Sequence, residues 1–356
     1  MSRLVRLVSA SLALACVRAE PAAAQDGITI QTHVLFYGDN TEFRNPFREG
    51  ETIFGAAARV AVVAGVAERT TLTIGIFGNQ RFGSDDSFEQ VRPVIALTVK
   101  GARSAFTFGA LPPSPHASAP GPDLQGPHGL LPPLQRETLA FDRPYEAGLQ
   151  WTFEGARLRH DIWLNWQRLN TREHRERLDG GASGRFGIAG PFALPFQVHI
   201  VHEGGQLFAS GPVADSVAGA LGLSVSGPWV VERASFEAYA LGSHVVPDRG
   251  SPLQTRSGAG FFTRGAGEHR GWRGHILFWR GDDYVKDEGD ANYLSIRRNG
   301  TRYRGVRDYA EAGLTRTFRL GPHALLQASG RLYRVERHYE YSYRVLAVAS
   351  PSWKVR

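Results

Sequence analysis

Arginine is the residue type with most chemistry to offer in this chain of 356 residues. Arg59, Arg92, Arg159, Arg233, Arg273 and Arg331 lie in stretches where apolar and polar residues alternate. Period-two parity puts them on the same side as Glu146, Asp161, Glu237, Glu311 and Tyr333. A guanidinium keeps its charge at any physiological pH and grips phosphates and carboxylates through a two-pronged fork. Arginines outnumber carboxylates on that side, so a confined space lined by them favours anions. The alternative is mutual pairing, which only keeps the space wet. Either reading depends on register, because a slip of one residue turns a side chain to the opposite face.

Catalytic constellations are scarce. The chain has no G-x-S-x-G, no H-E-x-x-H and no phosphate-binding P-loop. His199 and His202 are three residues apart, which on a strand places them on opposite faces and prevents them from chelating one metal. His33 and His275 share the arginine face, where a lone histidine reads as a polar wall residue. Neither an enzyme, a cofactor nor a metal site is expected. "DDYVKDEGDAN" from Asp282 gathers carboxylates without the calcium-loop spacing. The adjoining "SIRRNGTRYRGVR" supplies Arg297, Arg298, Arg302, Arg304 and Arg307, so mutual neutralisation in a solvated loop is the expectation there.

The elements that carry these residues have period two. "LRHDIWLNWQRL" from Leu158 sets Leu158, His160, Ile162, Leu164 and Trp166 against Arg159, Asp161, Trp163, Asn165 and Gln167. "LQASGRLYR" from Leu326 divides in the same way, and "LTIGIFGN", "RPVIALTVK", "YEAGLQWTFE" and "YAEAGLTRTF" do so more weakly. Each run has the length of a tilted membrane strand. Short turns ("AGVAER", "KGAR", "EGAR", "GPFA", "GPW", "GEHRG", "LGPHA") alternate with longer connections around residues 39–51, 81–90, 112–143, 170–179, 204–213, 244–255, 281–308 and 336–341. Seven short turns and eight long loops predict sixteen strands in an all-β, transmembrane, antiparallel up-and-down barrel, with short periplasmic turns and long outer loops. A soluble sandwich or propeller would also alternate, but not with connections of such unequal length.

The N-terminus fits an exported protein. Arg3 and Arg6 precede an apolar run from Leu7 to Ala15, and Ala22-Ala23-Ala24 offers a cleavage site before Gln25. Residues 1–24 therefore read as a Sec signal peptide and 25–356 as a single barrel domain. Lipidation at Cys16 is the other reading of this segment. Cleavage after Ala24 removes the single cysteine, which leaves the mature chain without disulfides or thiolate metal ligands. The formal charge of +7 falls only slightly when Arg3, Arg6, Arg18 and Glu20 leave, and it is no nucleic-acid signature.

With these segments in hand, the mature chain resembles the general porin-like barrels of bacterial outer membranes. "FRNPFREGETIFGAAARV" from Phe43 is similar to first-hairpin sequences of uncharacterised Gram-negative barrels. The resemblance implies an outer-membrane location, lipids and lipopolysaccharide as surroundings, and the barrel assembly machinery as a partner. It also implies passive diffusion of small hydrophilic solutes, with anions favoured by the arginines. The Pro-rich segment 112–143 occupies the position from which general porins fold a constricting loop inward; a mobile outer loop and a complete plug are the alternatives. The class ends in an aromatic residue, whereas here Trp353 is followed by Lys354, Val355 and Arg356.

Three other functions remain open on the same architecture. Polysaccharide export would use Trp163, Tyr239, Trp279 and Tyr333 as inward stacking rings beside the arginines. Trp163 and Trp279 are also candidates, with Trp151, Phe153, Trp166, Trp229, Trp272, Phe278, Phe318, Tyr343 and Trp353, for the two interfacial aromatic girdles. A lipid-acting barrel enzyme would need a Ser, His or Asp set at the outer rim. A structural or adhesive barrel would not conduct.

Overall fold

The computed structural model describes residues 27–113, 127–205 and 207–355; the signal segment and Cys16 lie outside the described residues. Its strands are β1 (Ile28–Glu42), β2 (Glu51–Ala67), β3 (Thr70–Arg81), β4 (Gln90–Lys100), β5 (Ser104–Ala110), β6 (Ala147–Glu154), β7 (Leu158–Arg168) and β8 (Glu176–Ala189). They continue as β9 (Phe192–Gly204), β10 (Ala214–Gly227), β11 (Arg233–Val246), β12 (Arg256–His269), β13 (Trp272–Asp282), β14 (Arg307–Gly321), β15 (Ala324–Val335), β16 (His338–Ala349) and the short β17 (Ser352–Val355). Each strand from β1 to β16 pairs antiparallel with its sequence neighbour, and β1 closes the cylinder against β16 and β17. Because β17 continues the stave begun by β16 beyond Pro351, the result is a closed sixteen-strand up-and-down barrel. Closure leaves no unpaired edge, which is what allows a sheet to sit in a bilayer.

Alternation sets the two faces of the wall. Phe36, Phe54, Ile74, Ile76, Ile95, Phe108, Leu221, Ile276 and Leu332 are exposed on the outside, where a soluble protein would put polar groups. Their neighbours Leu35, Ile53, Phe77, Val94 and Leu277 turn inward and are buried. Trp163 and Trp279 belong to this inward set and are covered, so they are not girdle residues. Trp151, Trp166, Trp272 and Trp353 face outward and are exposed. Large inward rings rest on glycines across the strand pair; a Cβ on Gly260 would collide with the Trp279 ring.

Seven of the long connections expected from the sequence are present. The eighth, placed at 336–341, is instead a tight turn at Glu336 and Arg337, with Glu336 at φ +55° and β16 starting at His338. "RVERHYEYS" contains no Gly or Pro, and the polar residues His338 and Glu340 read as loop lie on the inward face of a strand end, where Glu340 is buried against Asn45 of the first loop.

Three outer loops turn into the barrel. Phe43 and Phe47 of the first, Leu130, Leu131 and Leu134 of the third, and Tyr284 and Tyr293 of the seventh pack against inward Trp163, Tyr239, Phe262, Trp279, Tyr309 and Tyr333 as one apolar cluster. A second cluster joins Phe141, on the single helical turn α1 (Leu139–Asp142), to Leu35, Tyr37 and Phe77. A cylinder of this width cannot be filled by its own side chains, so loops must supply the core. The described part of the third loop, within 112–143, folds inward, and it is joined by two further loops. At the short-turn end the described lumen holds a cavity of about 1000 Å³, whose lining includes the polar residues Thr71, Thr98, Lys100, Thr107, Arg319 and His323.

Candidate functional site

The ten residues expected to line the lumen share the parity of the buried, inward residues of their strands, and most are tied up. Arg331 donates two bonds to Glu137 of the third loop (2.8 and 3.1 Å) and lies 3.6 Å from Glu311. Arg344 joins the same carboxylate at 2.9 Å and also pairs with Asp39. These guanidinium groups hold the Glu137 carboxyl well below its usual range, at about 2, against the opposing effect of burial. Glu311 also contacts His275 (2.8 Å) and accepts from Tyr309 (2.6 Å), beside Tyr333. Arg59 donates to the carbonyl of Leu111, Arg273 pairs with Glu268 at 2.5 Å, and Glu237 receives Arg264 at 2.7 Å. Arg159 meets Glu154 at 3.2 Å near the short-turn end, while Arg92 and Arg233 are exposed near opposite ends of the wall. Of the six arginines, Arg331 fastens the third loop to a strand, Arg59 holds the Leu111 carbonyl, and Arg159 and Arg273 pair with carboxylates of the neighbouring strand.

Asp161 has a role that its sequence position did not suggest. His128, at φ 61° in the third loop, has Asp161 at 2.6 Å on Nδ1 and Glu146 at 3.0 Å on Nε2. Its ring stacks on Trp163 with centroids 3.9 Å apart and planes 3° from parallel. Two carboxylates outweigh burial and raise the His128 pKa to about 10, so the ring is an imidazolium locked into the wall. Trp163 and Tyr333 therefore serve as packing platforms for loops among the described residues, not as open sugar-stacking surfaces.

The seventh loop was expected to neutralise itself in solvent. Among the described residues, Asp283 with Arg302 does so; Asp290 pairs instead with Arg48 at 2.5 Å, and Glu288 takes Arg143, Gln167 and Arg177 at 2.6, 3.1 and 3.1 Å. Arg307 is buried with its guanidinium over the Phe47 ring and paired with Glu336 at 2.9 Å.

Outside the barrel, the outer rim carries a different group. His244 on β11 and Ser257 on β12 are directly opposite in register and point out of the barrel, with His244 Nδ1 2.9 Å from Ser257 Oγ. One pleat along, His202 Nδ1 lies 2.8 Å from Asp215 Oδ1, and Arg249 grips the same carboxylate at 2.5 and 2.9 Å. Asp215 is the register partner of both His202 and Val246, and Val246 lies two residues from His244 on the same face. Leu207, Phe208 and Leu253 stand exposed in the flanking loops. A hydroxyl bonded to an imidazole is the arrangement from which a nucleophile is made. His199 and His202 face opposite sides of β9, as their spacing predicts, whereas the His244–Ser257 pair leaves no local mark in the sequence, because cross-strand register joins residues from different segments.

The fold and its faces define the class: a bacterial outer-membrane β-barrel. Solved barrels agree in shape, with TM-scores of 0.57 to a loop-deletion mutant of OmpT, an outer-membrane protein of Vibrio cholerae (10% identity, 92% of this chain and 100% of that one), and 0.54 to an anion-selective porin from Comamonas acidovorans (9%, 91% and 99%). At such identities the likeness is one of fold. No curated protein matches the sequence. The family model of the lipid A 3'-O-deacylase type matches residues 20–356, and the chain belongs to that family. This overturns the expectation that the barrel is not an enzyme, because the family is a deacylase one.

Proposed function

We propose that this barrel hydrolyses an ester-linked acyl chain of lipid A at the lipid-facing outer rim, with Ser257 as nucleophile and His244 as base. The 2.9 Å contact between Ser257 Oγ and His244 Nδ1 on the membrane side of the wall carries the reading. Lipid A lies in the leaflet that this face meets, so the scissile ester reaches the serine without entering the lumen. His244 takes the Ser257 proton as Oγ attacks the ester carbonyl, and returns it to the sugar oxygen that leaves. Water then attacks the acyl-serine by the same route in reverse. Arg249, exposed yet anchored by Asp215, is placed for a phosphate of the glycolipid. Leu207, Phe208 and Leu253 would contact the acyl region.

Passive diffusion would require the lumenal loops to leave their buried cluster. The test is fatty-acid release from lipid A in mixed vesicles by the refolded barrel, followed by mass spectrometry. Wild type releases acyl chains, S257A and H244A do not, and R249A keeps the chemistry at raised KM. Equal release by S257A and wild type would sink the assignment.

A further inference from the structure

Asp179 of β8, His199 of β9 and Glu288 of the seventh loop converge beneath the folded-in loops, and none of the three side chains is more than 3% exposed. One potential ligand atom from each lies within 4.8 Å of the other two. His199 Nδ1 is 3.1 Å from the Leu134 carbonyl, so that nitrogen carries a proton and donates it. Its Nε2 points into the cluster, 3.4 Å from Asp179 Oδ2 and 3.9 Å from Glu288 Oε2. The donors around Glu288 all sit on Oε1, while Oε2 has no hydrogen-bond partner; neither has Asp179 Oδ1. The nearby Lys286 ammonium bonds the Asp287 carbonyl at 2.7 Å. Buried carboxylate oxygens without a donor are costly, and the cost falls when a cation sits between them.

We propose that Asp179, His199 and Glu288 bind a divalent cation of the zinc class, with water completing the coordination. Zinc bonds of about 2.0–2.1 Å arranged tetrahedrally put ligand atoms roughly 3.3 Å apart, close to the 3.4 Å nitrogen–oxygen separation seen here. One imidazole with two carboxylates suits a first-row metal better than calcium or magnesium, which take oxygen ligands almost throughout. The bond from His199 Nδ1 to a backbone carbonyl fixes the tautomer in the way that ligating histidines require. Arg143, Gln167 and Arg177 hold the Glu288 carboxylate in place from behind. The ion would tie the third and seventh loops to β8 and β9, a role independent of chemistry at Ser257.

The experiment strips the refolded full-length barrel with a chelator, equilibrates it with Zn²⁺ in detergent and counts retained metal by mass spectrometry. About one zinc per chain is expected for wild type and a background amount for D179N and H199Q, with both variants retaining the gel mobility of a folded barrel. Zinc should also slow amide exchange in residues 283–306 of wild type alone. Background zinc in the folded wild type, retention unaffected by either substitution, or retention of Ca²⁺ in place of Zn²⁺ would each overturn the proposal. Should a variant not fold, Co²⁺ added to wild type decides alone: four-coordinate d–d absorption supports the site, and its absence rejects it.

Discussion

Replacing Glu137 by Gln tests whether the lumen is closed by charge pairing rather than by chance packing. Glu137 accepts two bonds from Arg331 and one from Arg344, and these side chains are 12%, 9% and 7% exposed. Removing one partner of a buried pair costs about 3–5 kcal/mol, because the other charge stays buried. Asp39 and Glu311 remain beside the two guanidinium groups, which puts the expected loss at the lower end, about 3 kcal/mol. The titration leads to the same figure. A carboxyl lowered from 4.5 to about 2 contributes about 3 kcal/mol when ionised. Because the folded pKa is depressed, that contribution is present above pH 4.5 and is lost as pH falls towards 2. The loss should appear as local opening, so the assay is amide exchange of residues 127–142 at pH 7. About 3 kcal/mol corresponds to roughly a hundredfold faster exchange in E137Q, with the strands unaffected. Wild type should approach the behaviour of E137Q as pH drops below 4. Equal exchange in the two proteins at pH 7 would refute the argument.

Other perturbations follow from the same geometry. H128A removes an imidazolium held by Asp161 and Glu146 and leaves two carboxylates facing each other, so exchange in 127–142 should rise by at least tenfold, an effect of about 1.4 kcal/mol or more. F141A vacates a buried ring stacked 4.9 Å from Tyr37 and should cost about 3–5 kcal/mol in denaturant unfolding. In planar bilayers the wild-type barrel should give little steady current, whereas deletion of residues 127–142 should give a stable conductance with an anion-biased reversal potential, because Arg331 and Arg344 lose Glu137. A large wild-type conductance would contradict the filled outer lumen.

The barrel was legible because period two is written into each strand separately: "LRHDIWLNWQRL" states its two faces without help from any other segment. Loop lengths set the strand count for a similar reason, with 336–341 as the failure, where a strand end bearing His338, Glu340 and Ser342 looks polar because its inward face meets other polar groups. The interior was legible only in direction. Parity placed Arg331 and Glu311 inward, but Glu137 and His128 are loop residues with no periodicity to mark them, and their partners come from strands as far away in sequence as Arg344. His244 and Ser257 were hidden for yet another reason. Each looks like an unremarkable outward polar residue near a strand end, and only the β11–β12 register makes them a pair.

The two faces of the wall solve opposite problems, which explains where chemistry can sit. Inside, a cylinder of sixteen strands encloses more space than its own side chains fill, and the loops that fill it bring backbone and charge away from water. Each buried charge then needs a partner, so Arg331, Arg344, His128 and Glu288 are committed to holding loops and are unavailable for a passing solute. Outside, the wall meets hydrocarbon, where polar groups carry a cost unless they lie at the interface or bond one another. His244 with Ser257, and His202 with Asp215 and Arg249, meet both conditions at the rim. For a substrate that is itself part of the membrane, this face is the accessible one. An enzyme for lipid A therefore needs no open lumen, and a filled lumen gives the rim strands a rigid backing against which a serine and a histidine can be held in register.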